Sequence, residues 1–209
     1  MPRAFSKLDQ LLIGLQYSVL KPPSAVHATP AAHVAESALL PDEKKMCAGL
    51  MRVNHTGEVC AQALYLGQAL VAKQFSTQQH LLHAAEEERD HLAWCAERLE
   101  ELDSHTSVLN IVFFNLSLLT GMIAGLASDK ISLGFIAETE KQVTNHLTSH
   151  LAQLPVQDHK SRAIISQMQL DEIKHQTEAL QAGGEELPAF IKDLMQYTSK
   201  LMTATTYYW

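Results

Sequence analysis

The residues of this chain best suited to chemistry are carboxylates and imidazoles that recur in a fixed pattern. In "AAEEERDHLAW" (residues 84–94) Glu88 precedes His91 by three positions, and in "LDEIKHQTEA" (170–179) Glu172 precedes His175 by the same interval. Glu-x-x-His places a carboxylate and an imidazole one turn apart on the same side of a helix. Leu81, Ala84, Ala85, Leu92, Cys95, Leu99 and Leu102 form an apolar stripe at three- and four-residue steps, and Glu88 and His91 fall inside it. Glu87 and Asp90 fall on the polar side of the same helix, with Glu86 near its edge. Ile165, Met168 and Ala179 mark the inner face of the second copy, which carries Glu172 and His175. Ionisable groups on a face that must be buried need partners or a metal.

Each copy has a glutamate about thirty residues upstream on another apolar face. Glu58 lies in "RVNHTGEVCAQALY". In "AETEKQVTNHL" the stripe of Ile136, Val143, Leu147, Leu151 and Leu154 includes Glu140 and excludes Glu138. The two halves are offset by 82 residues (58 to 140) and by 84 (88 to 172 and 91 to 175). One glutamate from each of two helices, with Glu-x-x-His from each of the other two, is the donor set of a di-iron carboxylate site in a four-helix bundle. Bridging carboxylates neutralise two cations, and each imidazole supplies a nitrogen while its other nitrogen stays free for an outer anchor. Asp171, beside Glu172, either orients a ligand histidine or stands in solvent. The histidines at 27, 33, 55, 80, 83, 105, 150 and 159 show no recurrent spacing and read as surface or packing residues.

These side chains require long helices to carry them, and the punctuation of the chain supplies their limits. A helical pattern runs from Pro41 to about Ala72, and Ser76 with Gln79 offers a capping box for a second helix reaching about Leu102. The stretch "VLNIVFFNLSLLTGMIAGLA" (108–127) is apolar and uncharged. Ser128 or Asp129 caps a third long helix to about Leu154, Pro155 opens a fourth that stops at Gly183-Gly184, and a last helix covers roughly 186–203. No strand periodicity appears. The expected fold is all-α, a ferritin-like four-helix bundle with a long apolar crossover helix and additional terminal helices. Residues 108–127 are long enough to span a bilayer. A single crossing there would separate Glu88 from Glu140, so the metal site requires the segment to return along the bundle, its surplus apolar surface facing a lipidic substrate or a membrane interface. The terminal "TYYW" suits either an aromatic interface anchor or a packed tail.

The 209 residues carry a formal charge of −7, which argues against nucleic acid as a partner. Cys47, Cys60 and Cys95 are odd in number and isolated, which points away from a disulfide framework and towards a reducing compartment. Phe5, Leu8, Leu12, Leu15 and Val19 recur at helical spacing in an N-terminal segment with no small-residue cleavage site, so it reads as an amphipathic helix and not as a signal peptide. That helix either docks on the main domain or anchors at a membrane surface. Residues 21–36, rich in Pro and Ala, read as a linker. The organisation is thus residues 1–36, N-terminal amphipathic helix and linker, and residues 37–209, the bundle domain.

With these residues placed, the chain resembles the demethoxyubiquinone hydroxylases of ubiquinone biosynthesis. "MRVNHTGEVCAQALYLGQAL" (51–70) closely resembles the first-helix signature of that family, and "EEERDHL", "AETEKQVTNHL" and "DEIKHQ" resemble its other ligand segments in the same order. The resemblance implies a ferritin-like di-iron hydroxylase domain with Glu58, Glu88, His91, Glu140, Glu172 and His175 as metal ligands, Glu88 and Glu172 bridging. It implies a role for His146, beside the site, in proton or electron delivery. It implies two iron ions, O2 as co-substrate, an external reductant, and ring hydroxylation of a 2-polyprenyl-3-methyl-6-methoxy-1,4-benzoquinone or its quinol, one oxygen entering the ring and the other leaving as water. Manganese accepts similar ligands. Peripheral attachment to the cytoplasmic face of the cell membrane, and contacts with other ubiquinone-biosynthesis proteins, are further expectations. A ferritin- or rubrerythrin-like protein handling iron or peroxide shares the ligand scheme but has no need of an apolar segment at 108–127.

Overall fold

In the computed structural model, which describes Asp9, Leu12, residues 25–36 and residues 38–209, six helices follow one another: α1 (Pro41–Val71), α2 (Phe75–Glu101), α3 (Asn110–Ala127), α4 (Asp129–Gln153), α5 (His159–Gln181) and α6 (Ala189–Thr206). No strand occurs among the described residues. The expected N-terminal amphipathic helix lies outside the described residues except at Asp9 and Leu12, both helical.

Local chemistry sets the boundaries, and two differ from the sequence expectation. Ser76 does not cap α2: the helix begins at Phe75 with Ser76 inside its first turn, and just ahead of it the Asp129 carboxylate accepts from the amides of Lys73 (3.0 Å) and Gln74 (2.8 Å). Pro155 does not open α5; it starts a turn. Asp158 is the cap, its side chain accepting from the Ser161 amide at 3.0 Å. Ser128 caps α4 as expected, accepting from Ile131. Gly183 ends α5 with φ of 103°, a left-handed conformation that favours glycine. The last helix begins at Ala189, behind Pro188, a few residues later than its periodicity indicates.

α1 pairs with α2 and α4 with α5, giving two helical hairpins whose inner faces meet. Between them α3 returns alongside α1. The side-chain bond from Thr56 to Asn110 (2.8 Å) ties the start of α3 to the middle of α1, and the contact of Gly125 with Val71 ties their ends, so α1 and α3 are parallel. A Cβ on Gly121 would stand 2.1 Å from the Leu64 carbonyl oxygen, and one on Gly67 2.2 Å from that of Leu118. Only glycine permits this backbone approach, and it welds α3 to the bundle. Although α3 is long and apolar enough to cross a membrane, Phe114, Gly121, Ala124 and Gly125 bury one side of it. Ile111, Val112, Leu116, Leu119, Ile123 and Leu126 remain exposed.

The core divides into two main apolar clusters. One gathers Leu50, Met51, Cys95, Leu99, Leu147, Ile165 and Met168; another gathers Leu64, Tyr65, Leu81, Ala85, Ile136, Ala137 and Ala179. On each of the four bundle helices the polar site positions fall between the two. Residues 25–36, expected as a linker, are bound to α2: Asp90 accepts from the amides of Val26 (2.6 Å) and His27 (3.2 Å), and Arg98 grips Glu36 at 2.8 Å. Asp90, expected on a solvated face, is therefore buried under the chain's own N-terminal segment. At the other end Arg52 donates to the Tyr207 carbonyl at 2.6 Å and packs the tail, while the side chains of Tyr208 and Trp209 stay exposed.

Candidate metal centre

α1 brings in Glu58, α2 Glu88 and His91, α4 Glu140, and α5 Glu172 and His175. All six are buried, none more than 4% exposed. Their donor atoms form two overlapping groups, Glu58–Glu88–His91–Glu172 and Glu88–Glu140–Glu172–His175, each with its atoms within 4.8 Å of one another. Glu88 and Glu172 belong to both. Glu88 turns Oε2 to His91 Nδ1 at 3.0 Å and Oε1 to His175 Nδ1 at 3.3 Å. Glu172 turns Oε1 to His91 Nδ1 and Oε2 to His175 Nδ1, both at 3.1 Å. One oxygen of each carboxylate thus faces each imidazole, the disposition a bridging carboxylate needs. Glu58 and Glu140 stand one to each group, as terminal donors would.

Both histidines aim Nδ1 inward and Nε2 outward at an acid on the opposite hairpin. His91 Nε2 lies 3.1 Å from Asp171 Oδ2, and His175 Nε2 lies 3.3 Å from Glu87 Oε2. Of the two readings left open for Asp171, the orienting one is observed. Glu87, placed by periodicity on the polar side, does the corresponding service for His175 while also pairing with Lys174 at 3.2 Å. Each acid precedes a central glutamate by one residue. Tyr65, two turns after Glu58 on α1, is fully buried and donates its hydroxyl to Glu140 Oε1. Sequence reasoning missed it: the seven-residue spacing sets it on the same face of α1 as Glu58, but its partner depends on how α1 and α4 are registered.

Glu138 lies off the cluster, accepting from Gln142 at 2.8 Å and facing Lys192 at 3.9 Å, so the phase that selected Glu140 holds. Glu86 is exposed and pairs with Arg89 at 3.5 Å. His146 is not among the clustered donors; its ring packs on His150 with centroids 3.9 Å apart, and His150 bonds Asn54 at 2.7 Å. Its Nε2 is buried and has no hydrogen-bond partner.

Protonation in this site is governed by burial and crowding. Burial raises Glu58 well above the usual carboxylate range, the charges of Glu88 and Glu172 adding to the effect against the pull of His91. Glu140 is raised well above it too, by burial and then by Glu172. Burial works against a charged imidazole, yet the surrounding carboxylates outweigh it, holding His91 well above its ordinary value and His175 up to about 12. Burial likewise opposes ionisation of Glu88, but the imidazoles of His175 and His91 facing its two oxygens hold it well below the usual carboxylate range.

The donors fit a pair of divalent cations. Four carboxylates balance two such ions in charge, Oε1 of both Glu88 and Glu172 is buried without a hydrogen-bond partner, and both imidazoles are anchored through the nitrogen facing away from the cluster. A mixed oxygen and nitrogen set suits iron or manganese better than calcium, which takes oxygen alone.

Residues 45–206 match the sequence family described as ubiquinone biosynthesis protein COQ7. The chain is 51% identical over 209 residues to the 3-demethoxyubiquinol 3-hydroxylase of Ectopseudomonas mendocina, spanning 98% of this chain and 97% of that one. It is 50% identical over 209 residues to the enzyme of the same name from Acinetobacter baumannii, with 99% of each chain covered. A third such relative, from Xanthomonas oryzae, is 50% identical over 208 residues, spanning 98% of this chain and 96% of the relative.

Proposed function

This chain belongs to the ubiquinone biosynthesis protein COQ7 family, and on that premise we propose that it is a 3-demethoxyubiquinol 3-hydroxylase working through a di-iron centre held by Glu58, Glu88, His91, Glu140, Glu172 and His175. The observation that carries the metal assignment is the sharing of Glu88 and Glu172 between two donor groups, each carboxylate turning one oxygen towards each histidine. Iron bound there would supply O2 activation and the electrons that a ring hydroxylation requires.

The protein's own part is positional. Glu58 closes one donor group and Glu140 the other, with Tyr65 fixing the Glu140 oxygen it donates to. Asp171 bonds the outward nitrogen of His91 and the Glu87 carboxylate faces that of His175 at 3.3 Å, which would keep Nδ1 of each available to the ions. The apolar clusters above and below exclude water from the donor layer, which strengthens its electrostatics. A polyprenyl quinol brings a long hydrocarbon tail, and the exposed apolar row of α3 gives that tail, and the membrane it dissolves in, a surface to meet. We place the protein at the cytoplasmic face of the cell membrane, bound peripherally, with α3 lying against the lipid. An iron-storage or peroxide-handling role would leave that row unexplained.

The test is oxygen consumption by iron-loaded protein given a reductant and a short-tailed demethoxyubiquinol, with the product identified by mass. A quinone heavier by one oxygen atom, absent with Glu172→Ala, is the expected result. Oxygen uptake without ring oxygenation would overturn the hydroxylase assignment in favour of an oxidase.

A further inference from the structure

We propose that Trp94 is a positioning residue for the metal centre, clamped onto His91 by the N-terminal segment of residues 25–36. The inference rests on the di-iron reading above. Trp94 follows His91 by three residues on α2 and is buried; the two rings lie with centroids 5.4 Å apart and planes inclined by 46°. Its indole nitrogen donates to the His27 carbonyl at 3.1 Å. That carbonyl is held in turn. The Asp90 carboxylate takes the amides of Val26 and His27 and sits 2.6 Å from His27 Nδ1, and the far end of the segment is gripped where Arg98 meets Glu36. Asp90, Trp94 and Arg98 succeed one another every four residues, so one strip of α2 receives the whole segment.

The geometry gives this strip a task. The inward contacts of His91 Nδ1 and the outward contact of Nε2 with Asp171 fix the axis through its ring. Those contacts and the Cβ–Cγ bond place the ring, but hydrogen bonds tolerate a range of tilt, whereas a ligand nitrogen must direct its lone pair at the ion as well as lie near it. A rigid indole against one face narrows that tilt. In the second half the equivalent position, three residues after His175, is Glu178, half exposed and paired with Lys174 at 3.7 Å. No aromatic clamp is present at that position, so the centre has one buttressed imidazole and one free of this restraint.

Cobalt(II) alone serves as probe, because its ligand-field bands report the orientation of nitrogen donors. Full-length parent, Trp94→Phe and Asp90→Ala would be compared at matched helix content. Trp94→Phe keeps a ring and loses the N–H donor; Asp90→Ala frees the segment and leaves both rings in place. Both should shift the cobalt bands and weaken cobalt affinity, by about tenfold, the lower end for partners that orient a metal ligand. Amide exchange at residues 26–36 should quicken in Asp90→Ala. Spectra and affinities equal to the parent's in both variants would overturn the inference and leave Trp94 a packing residue. Failure of the parent itself to bind cobalt, iron or manganese would instead remove the metal centre, and the clamp with it.

Discussion

The reciprocal acids make the strongest quantitative case. Asp171→Asn removes the charge facing His91 Nε2 at 3.1 Å but retains an oxygen that can turn to accept the same N–H. The loss is therefore the charge assistance of one hydrogen bond: such bonds contribute about 1.5–3 kcal/mol against 0.5–1.5 for neutral ones. Because the Asp171 side chain is 31% exposed, solvent screens part of that difference, and roughly 1–1.5 kcal/mol remains. This corresponds to about a tenfold loss of metal affinity. Glu87→Gln should cost less, about threefold, since the Glu87 carboxylate is farther from its imidazole (3.3 Å) and already divides its charge with Lys174. Anaerobic iron(II) titration against a chelator of known strength measures both, with helix content checked by circular dichroism. A reversed order, or an Asp171→Asn affinity equal to the parent's, would refute the argument that these acids hold the imidazoles.

Three further outcomes follow from the geometry. Glu140→Ala should bind fewer than two irons while Glu138→Ala keeps both, as metal analysis would show; the opposite pattern would shift the inner face of α4 by half a turn. Arg98→Met leaves Asp158, itself fully buried, without its ion-pair partner at 3.0 Å, a loss of about 3–5 kcal/mol. At about 2–4 °C per kcal/mol for a chain of this size, thermal unfolding should fall by about 6–20 °C, and a change under about 3 °C would contradict the assigned role. Metal uptake should also release protons: His175, held up to about 12 by the surrounding carboxylates, carries a proton near neutral pH that it must shed to bind, and the raised His91, Glu58 and Glu140 act in the same direction. Affinity should then rise with pH, and titrations that are flat from about pH 6 to 8 would refute the protonation scheme.

Periodicity reached the six buried, clustered positions because a glutamate or histidine inside an apolar stripe is conspicuous on one helix alone. Gly183 and Ser128 were legible for the same reason, each acting on its immediate neighbours. What escaped depends on register between helices. The partner of His91 is a residue 80 positions away on α5, and Glu87 faces His175 only because α2 and α5 meet at one height. Asp90 looked solvated because two of its partners are backbone amides, which have no signature in a side-chain pattern, and the third, the His27 ring, lies 63 residues away. Ser76 was a sound cap in isolation, but the chain turns into α2 two residues earlier, where Asp129 from another helix holds the amides of Lys73 and Gln74.

The crosswise wiring of the acids bears on how the protein comes to be assembled. Neither hairpin owns a complete half of the centre: the α1–α2 hairpin brings His91 but borrows Asp171 and Glu172, and the α4–α5 hairpin brings His175 but borrows Glu87 and Glu88. A hairpin folded by itself would keep the glutamate three residues before its histidine at Nδ1 but would leave Nε2 without its acid, and it would offer two of the four clustered carboxylates. The centre is in effect the seam of an internal dimer, and metal can be retained only after the halves have docked. Under the proposed metal assignment, capture of the ions would mark the completion of folding, and a chain cut between α2 and α3 should recover metal only when both fragments are supplied together.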